Sequence, residues 1–128
     1  EGVRIAPHPE SGRRVPLYVA GINASGVSVR RALRFADGWM AYGFAGETDF
    51  EALGAALAEL HAARDGQGLP RLDTVYKLDM TRVDDPNEIP DVRRLADLGF
   101  DEVIVQHIWS SGLDAGLELI GRVQDAVR

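Results

Sequence analysis

Short apolar runs alternate along this chain with longer segments in which apolar residues recur every three or four positions. Continuous apolar runs are typical of strands buried in a parallel sheet, whereas the longer spacing is that of an amphipathic helix. The pattern predicts four strands, over residues 15–21, 37–41, 72–83 and 102–107.

A segment of helical periodicity follows each predicted strand. The first helix covers the sheet with Val29, Ala32, Leu33 and Ala36, opposite a face of arginines. The second, over 50–64, begins with the spacing of a capping box in which Thr48 is the N-cap. The third is short, and the last is predicted to pack through one apolar side that consists of Leu113, Leu117, Ile120 and Val127.

The resulting order is strand then helix, four times, which indicates an α/β fold with parallel strands covered by helices. A chain of 128 residues builds one core, so we expect a single domain over 1–128. Two architectures satisfy this order: an open doubly wound sheet, or part of an eight-stranded barrel, which takes about 250 residues. The chain has about half that length.

Composition and charge narrow the classes of partner. The chain has 20 acidic and 14 basic residues, a net charge of -6, so we expect no nucleic-acid partner. The absence of cysteine excludes disulfides, thiolate metal sites and a cysteine nucleophile. No stretch approaches the roughly 18 apolar residues of a membrane span, so no membrane partner is expected and a cytoplasmic location is the default. The first residue is Glu1 rather than Met, from which we expect a truncated or processed chain.

Two segments resemble the luciferase-like monooxygenase family. The first consists of Pro16-Leu-Tyr-Val-Ala-Gly21 and, after a polar loop, Arg31-Ala-Leu-Arg-Phe-Ala-Asp-Gly-Trp39. In the family the corresponding elements are a strand that ends in glycine, a helix with an Arg-Ala pair, and a strand that begins Asp-Gly-aromatic. The second, Leu95-Ala-Asp-Leu-Gly-Phe-Asp-Glu-Val-Ile-Val105, is similar to the helix and strand that close such barrels. Many parallel barrels share the sequence pattern of this second segment, so it is less specific to the family than the first. The loop after Gly21 departs from the family, because it has one glycine where many members have two.

The resemblance implies that the four strand-helix units form the C-terminal half of a TIM (β/α)8 barrel. It also implies a flavin- or deazaflavin-dependent oxidoreductase or monooxygenase that acts on a small organic substrate, with FMN or the deazaflavin coenzyme as cofactor. In this family the first half of the barrel holds the ring and much of the substrate pocket, while the second half supplies phosphate contacts. We therefore expect the isolated chain to be catalytically inactive.

The loop after the first predicted strand is the main candidate for cofactor binding. Gly21 ends the strand and Gly26 begins the helix, where free backbone N–H groups and the helix dipole suit a phosphate. Asn23 and Ser25 add side-chain donors. An ordinary turn with Ser25 as helix cap explains the same residues.

Three further positions are candidates for chemistry. The glycine-rich segment 42–46, which contains Gly43, is either a second phosphate loop or a connector. Lys77 and Asp79 share one face of a strand and form either a functional pair or a structural ion pair. His107, at the end of the fourth strand, is either a catalytic acid or base or a polar residue of the barrel rim.

Three functions remain open. The first is the C-terminal half of a flavin or deazaflavin oxidoreductase. The second is a natural half-barrel that binds or assembles, forming a homodimer through its open strand edges. The third is a small open-sheet enzyme unrelated to the family, which antiparallel or doubly wound strand order would favour.

Overall fold

A computed structural model describes residues 15–80, 90–106 and 112–126. Strands and helices alternate in it in the predicted order. The elements are β1 (Tyr18–Ile22), α1 (Gly26–Phe35), β2 (Gly38–Phe44), α2 (Phe50–Gly66), β3 (Asp73–Asp79), α3 (Pro90–Asp97), β4 (Glu102–Gln106) and α4 (Leu113–Ala126). The α/β prediction is confirmed. None of the helices described is long and apolar enough to cross a membrane.

The four strands form one sheet, and every neighbouring pair in it is parallel. Their order is β1-β2-β3-β4, so each strand pairs with the next one in the sequence. A doubly wound sheet has a point at which strand order reverses. These four strands contain no such reversal, so the order that would favour an unrelated open-sheet enzyme is not observed among them.

One face of the sheet carries the hydrophobic core. Trp39 of β2 and Tyr76 of β3 are fully buried there, and Phe100 packs on both, with ring centroids 6.1 Å and 5.4 Å away respectively. Helices α1, α2 and α3 add buried side chains to the same cluster, and α4 packs against it through Leu119 and Val123. The predicted inner face of α1 is confirmed by the burial of Val29, Ala32 and Ala36.

The opposite face of the sheet is only partly covered, and we call it the open face. It follows from the strand register, in which paired residues point to the same side. Ile22 is 56% exposed and Ile104 37% exposed, whereas Val75 is buried. The open face consists of Tyr18, Ala20, Ile22, Met40, Tyr42, Phe44, Val75, Lys77, Asp79, Ile104 and Gln106.

Two predictions about the second strand-helix unit were wrong in detail. The segment 42–44, predicted as loop, continues β2, because it pairs in register with residues 77–79 of β3. The N-cap of α2 is Asp49 rather than Thr48, since the Asp49 carboxylate accepts a 3.0 Å hydrogen bond from the Ala52 amide. The Thr48 hydroxyl lies instead 3.5 Å from the Tyr76 hydroxyl.

The predicted inner side of α4 was also wrong. Leu113, Leu117 and Ile120 are 66%, 55% and 45% exposed, while Leu119 and Val123 pack on the core. The two sides of this helix are both apolar, so periodicity alone could not choose between them. Val127, and the predicted end of the third strand at 81–83, lie outside the described residues.

Candidate functional site

The loops that follow β1 and β2 leave the sheet side by side at its carboxyl edge. Asn23, the first residue after β1, has a φ of 44°, in the left-handed region that asparagine tolerates better than most residues. Its backbone N–H donates a 2.7 Å hydrogen bond to the Tyr42 carbonyl of β2. The first candidate loop is therefore anchored to the second strand.

A buried hydroxyl connects this loop to β3. The Tyr76 hydroxyl donates a 3.2 Å hydrogen bond to Asn23 Oδ1, and this bond passes over Gly43 of β2. A Cβ atom at Gly43 would overlap both Tyr76 Oη and Asn23 Oδ1. With Oδ1 occupied, Asn23 can offer its Nδ2 donor to a ligand. Since protein contacts account for the glycine at 43, its cofactor-binding role stays a prediction.

Gly21 is likewise explained by packing within the protein. A Cβ atom there would overlap Ser28 of α1. The Ser28 hydroxyl donates to the Ser25 carbonyl at 2.8 Å and accepts from the Trp39 indole N–H at 3.2 Å. Gly21 thus allows α1 to lie close to β1, and its predicted phosphate contact is neither required nor opposed by this geometry.

The first turn of α1 has the features of an anion site. Ser25 occupies the N-cap position, but its side chain makes no capping hydrogen bond. The amides of the first helical turn therefore have no side-chain acceptor from Ser25. The Arg30 guanidinium folds back over this turn, with its NH1 atom 3.3 Å from the position of a Gly26 Cβ. Positive charge and backbone donors thus meet at one point of the carboxyl edge.

Arg30 is the residue that sequence reasoning missed, because its helix face was interpreted as an array of solvated arginines. The usable signal was its spacing. Residues four apart on a helix are neighbours, so Arg30 lies over Gly26, where the absent side chain leaves room for it. Neither Arg31 nor Arg34 has this relation to a glycine.

The remaining candidates do not join this site. His107, the predicted catalytic residue, lies outside the described residues. Lys77 is half-buried in the middle of the open face, beside Tyr42 and Ile104 in register. Within the described part of the chain no ion pair joins Lys77 to Asp79, although the two share a face as predicted.

A second polar cluster lies at the opposite, amino edge of the sheet. Arg71 Nε donates a 3.0 Å hydrogen bond to His61 Nε2, and Arg71 NH2 lies 3.6 Å from Asp101. Asp101 Oδ2 also accepts bonds of 2.8 Å and 2.7 Å from the amide and hydroxyl of Thr74. This cluster ties α2 and the loop before β3 to the start of β4.

The same contacts shift two pKa values. Burial, followed by the Arg71 guanidinium, lowers the pKa of His61. Burial alone would raise the pKa of Asp101, but the Thr74 hydrogen bonds and the Arg71 charge outweigh it and lower that pKa. In residues 15–80, 90–106 and 112–126, no group of three or more histidine or acidic side chains is arranged to hold a metal ion.

Fold and site together define a parallel α/β protein with a candidate anion-binding turn at the carboxyl edge of its sheet. No protein-family model matches the chain, and no curated protein matches it either. The resemblance to luciferase-like monooxygenases accordingly stays a prediction from the sequence.

Proposed function

We propose that this chain is the C-terminal half of a barrel oxidoreductase of the luciferase-like type, and that it holds the phosphate of FMN or of a deazaflavin coenzyme at the first turn of α1. The observation that carries the proposal is the turn itself. Its N-cap residue Ser25 makes no side-chain capping bond, and Arg30 NH1 lies 3.3 Å from the position of a Cβ atom on Gly26, the first residue of the helix.

The sheet supports the barrel part of the proposal. In a (β/α)8 barrel the strands follow one another in sequence order, the helices lie outside, and the carboxyl edge carries the active site. Here the strand order is sequential and the core-forming helices cover one face. The open face then corresponds to the barrel interior, which explains why Met40, Tyr42, Phe44 and Ile104 lie on a side that no core covers.

The residues of the turn fit a phosphate ester. Arg30 supplies positive charge and planar donors, and the amides after Ser25 supply a second set. The Asn23 Nδ2 group and the Ser25 hydroxyl are side-chain donors that directly precede that turn, whereas the Ser28 hydroxyl within it already donates to the Ser25 carbonyl. The redox step belongs to the ring of the cofactor, which exchanges hydride or electrons with a small organic substrate. Since the other half of the substrate pocket is not provided by these four strands, we expect the isolated chain to bind without turning over.

Comparing FMN with riboflavin tests the phosphate site directly, because the two differ only in the phosphate. Titration followed by flavin fluorescence is expected to show tighter binding of FMN. Arg30→Gln should weaken FMN binding about tenfold, the equivalent of one charge-assisted hydrogen bond at an exposed site, and leave riboflavin unchanged. Arg93→Gln, on the exposed side of α3, is the matched control.

Equal affinity for FMN and riboflavin would contradict the phosphate site, as would an Arg30→Gln variant that binds FMN like the wild type. Steady oxidation of a reduced nicotinamide or a reduced deazaflavin substrate by the isolated chain, with enzyme-like turnover, would contradict the half-barrel interpretation.

A further inference from the structure

Within residues 15–80, 90–106 and 112–126, no strand pairs with the outer side of β1 or of β4, and both lateral edges of the sheet carry exposed apolar side chains. On one side, which we call the α1 edge, Leu17 is 47% exposed beside β1, and Val27 and Phe35 of α1 are 48% and 51% exposed. On the other side, the α4 edge, the exposed stripe of α4 stands beside β4, and it consists of Leu113, Leu117 and Ile120. Apolar surface of this extent on both sides indicates an interaction surface.

The α4 edge contains a groove that suits a strand. Between β4 and α4 lies a cavity of about 450 Å³. Its lining consists of β4 from Ile104 to Gln106, Lys77 of β3, and the side of α4 that carries Leu119, Ile120 and Val123. The backbone groups of an edge strand are available to pair with another strand, and this groove gives an added strand an apolar floor.

The two edges carry opposite charges. Helix α1 has three arginines, Arg30, Arg31 and Arg34, and no acidic residue. These arginines surround a surface groove of about 450 Å³ together with Val27 and Phe35. Helix α4 has three acidic residues, Asp114, Glu118 and Asp125, against the single Arg122, which forms an ion pair with Glu118 and leaves the helix a net charge of -2. Each edge therefore complements the other edge of the same chain.

We propose that, in the 128-residue chain, the partner of these edges is a second copy, with the α1 edge of one copy docked on the α4 edge of the other, in the place that the first half-barrel takes in the intact parent of the proposed function. In that arrangement β1 of one copy extends the sheet next to β4 of its partner, in parallel, which preserves the sequential strand order. Two copies of four strands give the eight strands of the smallest common parallel barrel, so the contact closes after two units. The open face becomes the interior.

Charge decides between this arrangement and one in which like edges of the two copies meet. Two α1 edges placed together would set arginines against arginines, and two α4 edges would set carboxylates against carboxylates. Only the contact between unlike edges brings opposite charges together. The proposal goes beyond the cofactor site, and its test contains no cofactor, so either can fail without the other.

The mass of the isolated chain in solution is the first test. Light scattering after size-exclusion chromatography should give twice the chain mass of 13.9 kDa. A monomer at all concentrations would overturn the proposal, because these edges would then accept the first half-barrel of the parent but not a second copy. A ladder of larger species would show that the contact does not close, and would equally overturn it.

A charge exchange is the second test. Arg31→Glu with Arg34→Glu reverses the α1 edge, and Asp114→Arg with Glu118→Arg reverses the α4 edge. Each double variant alone faces like charges at both contacts, so its dimer dissociation constant should rise at least about tenfold. An equimolar mixture should recover wild-type affinity as a heterodimer, because both of its contacts then join opposite charges.

Native mass spectrometry distinguishes the heterodimer from the two homodimers. The control variant, Glu59→Arg with Asp65→Arg, reverses two exposed acidic residues of α2, which is flanked by neighbours within one copy, and should dimerise like the wild type. Circular dichroism checks that each variant is folded. Reversed variants that dimerise as tightly as the wild type, or a mixture that forms heterodimer only in the statistical proportion, would overturn the proposal.

Discussion

Replacing Gly43 by alanine tests the contact that fixes the candidate loop. The new methyl group would overlap Tyr76 Oη and Asn23 Oδ1, which are joined by a 3.2 Å hydrogen bond. Tyr76 is fully buried beneath Phe100, so its ring cannot move away without disturbing the core. Overpacking of this kind costs roughly 1–3 kcal/mol, and loss of the hydrogen bond about 1 kcal/mol more. We expect Gly43→Ala to lower the free energy of unfolding by about 2–4 kcal/mol.

Urea denaturation followed by tryptophan fluorescence measures this difference, because Trp39 is fully buried in the same core. The origin of the loss is tested by repeating the substitution in a Tyr76→Phe background. Removal of Oη takes away half of the overlap and frees Asn23, so Gly43→Ala should then cost less than about 1 kcal/mol.

Gly121→Ala is the matched control for this substitution. Nothing lies within 4 Å of a Cβ atom at Gly121, which sits inside α4, so alanine there should stabilise the chain by about 0.5–1 kcal/mol. A neutral Gly43→Ala, or a cost that is the same with and without the Tyr76 hydroxyl, would refute the reasoning. Protein concentration must be held constant, since association would add to the apparent stability.

Three further predictions concern the amino edge of the sheet. The pKa of His61 is lowered in the folded chain, so protonation of this residue opposes folding. The contribution of His61 to the free energy of unfolding should be complete above pH 6.5 and fall as the pH is lowered through that value. Thermal melts should show a smaller fall in His61→Gln, and an unchanged fall would contradict the role of this residue. The lowered pKa of Asp101 adds a second loss, which begins as the pH falls below about 4 and should be diminished in Asp101→Asn. Gly38→Ala should destabilise the sheet by about 1–3 kcal/mol in urea, because a Cβ atom there would overlap the Tyr18 ring and lie 2.9 Å from the Asp73 carbonyl oxygen. In a Tyr18→Ala background this cost should become smaller, and an unchanged cost would contradict the contribution of the Tyr18 ring.

The strands and helices were predictable because each has a local signature. Residues such as Val29, Ala32 and Ala36 mark one helix face wherever the helix packs, and the run 102–106 is apolar enough to indicate a strand. The segment 42–44 was mistaken for a loop because its glycine masks a strand. Gly43 has no side chain that would overlap the Tyr76 hydroxyl, and no local sequence pattern indicates this long-range contact.

The candidate site was only partly predictable for the same reason. Its position after β1 follows from the strand-loop-helix order, and the positive φ of Asn23 agrees with the residue type. Two features of the site depend on side-chain orientation, which spacing alone does not determine. The Ser25 side chain makes no capping hydrogen bond to α1, and the Arg30 side chain lies over Gly26. The sequence therefore predicts the position of the loop but not the positive charge that Arg30 adds beside it.

The wrong prediction for α4 supports the same view of the molecule as the open edges. A helix that packs against one neighbour needs one apolar stripe, yet α4 has two, at Leu119 and Val123 and at Leu113, Leu117 and Ile120. The first stripe is used within the chain. In a closed barrel every helix lies between two neighbouring helices and over two strands, so a second stripe is what α4 would need there. Within the described chain α4 contacts α3, and the second stripe is exposed. The hydrophobic pattern of this helix thus corresponds to the contacts of a larger assembly, which is why it could not be assigned from a single copy.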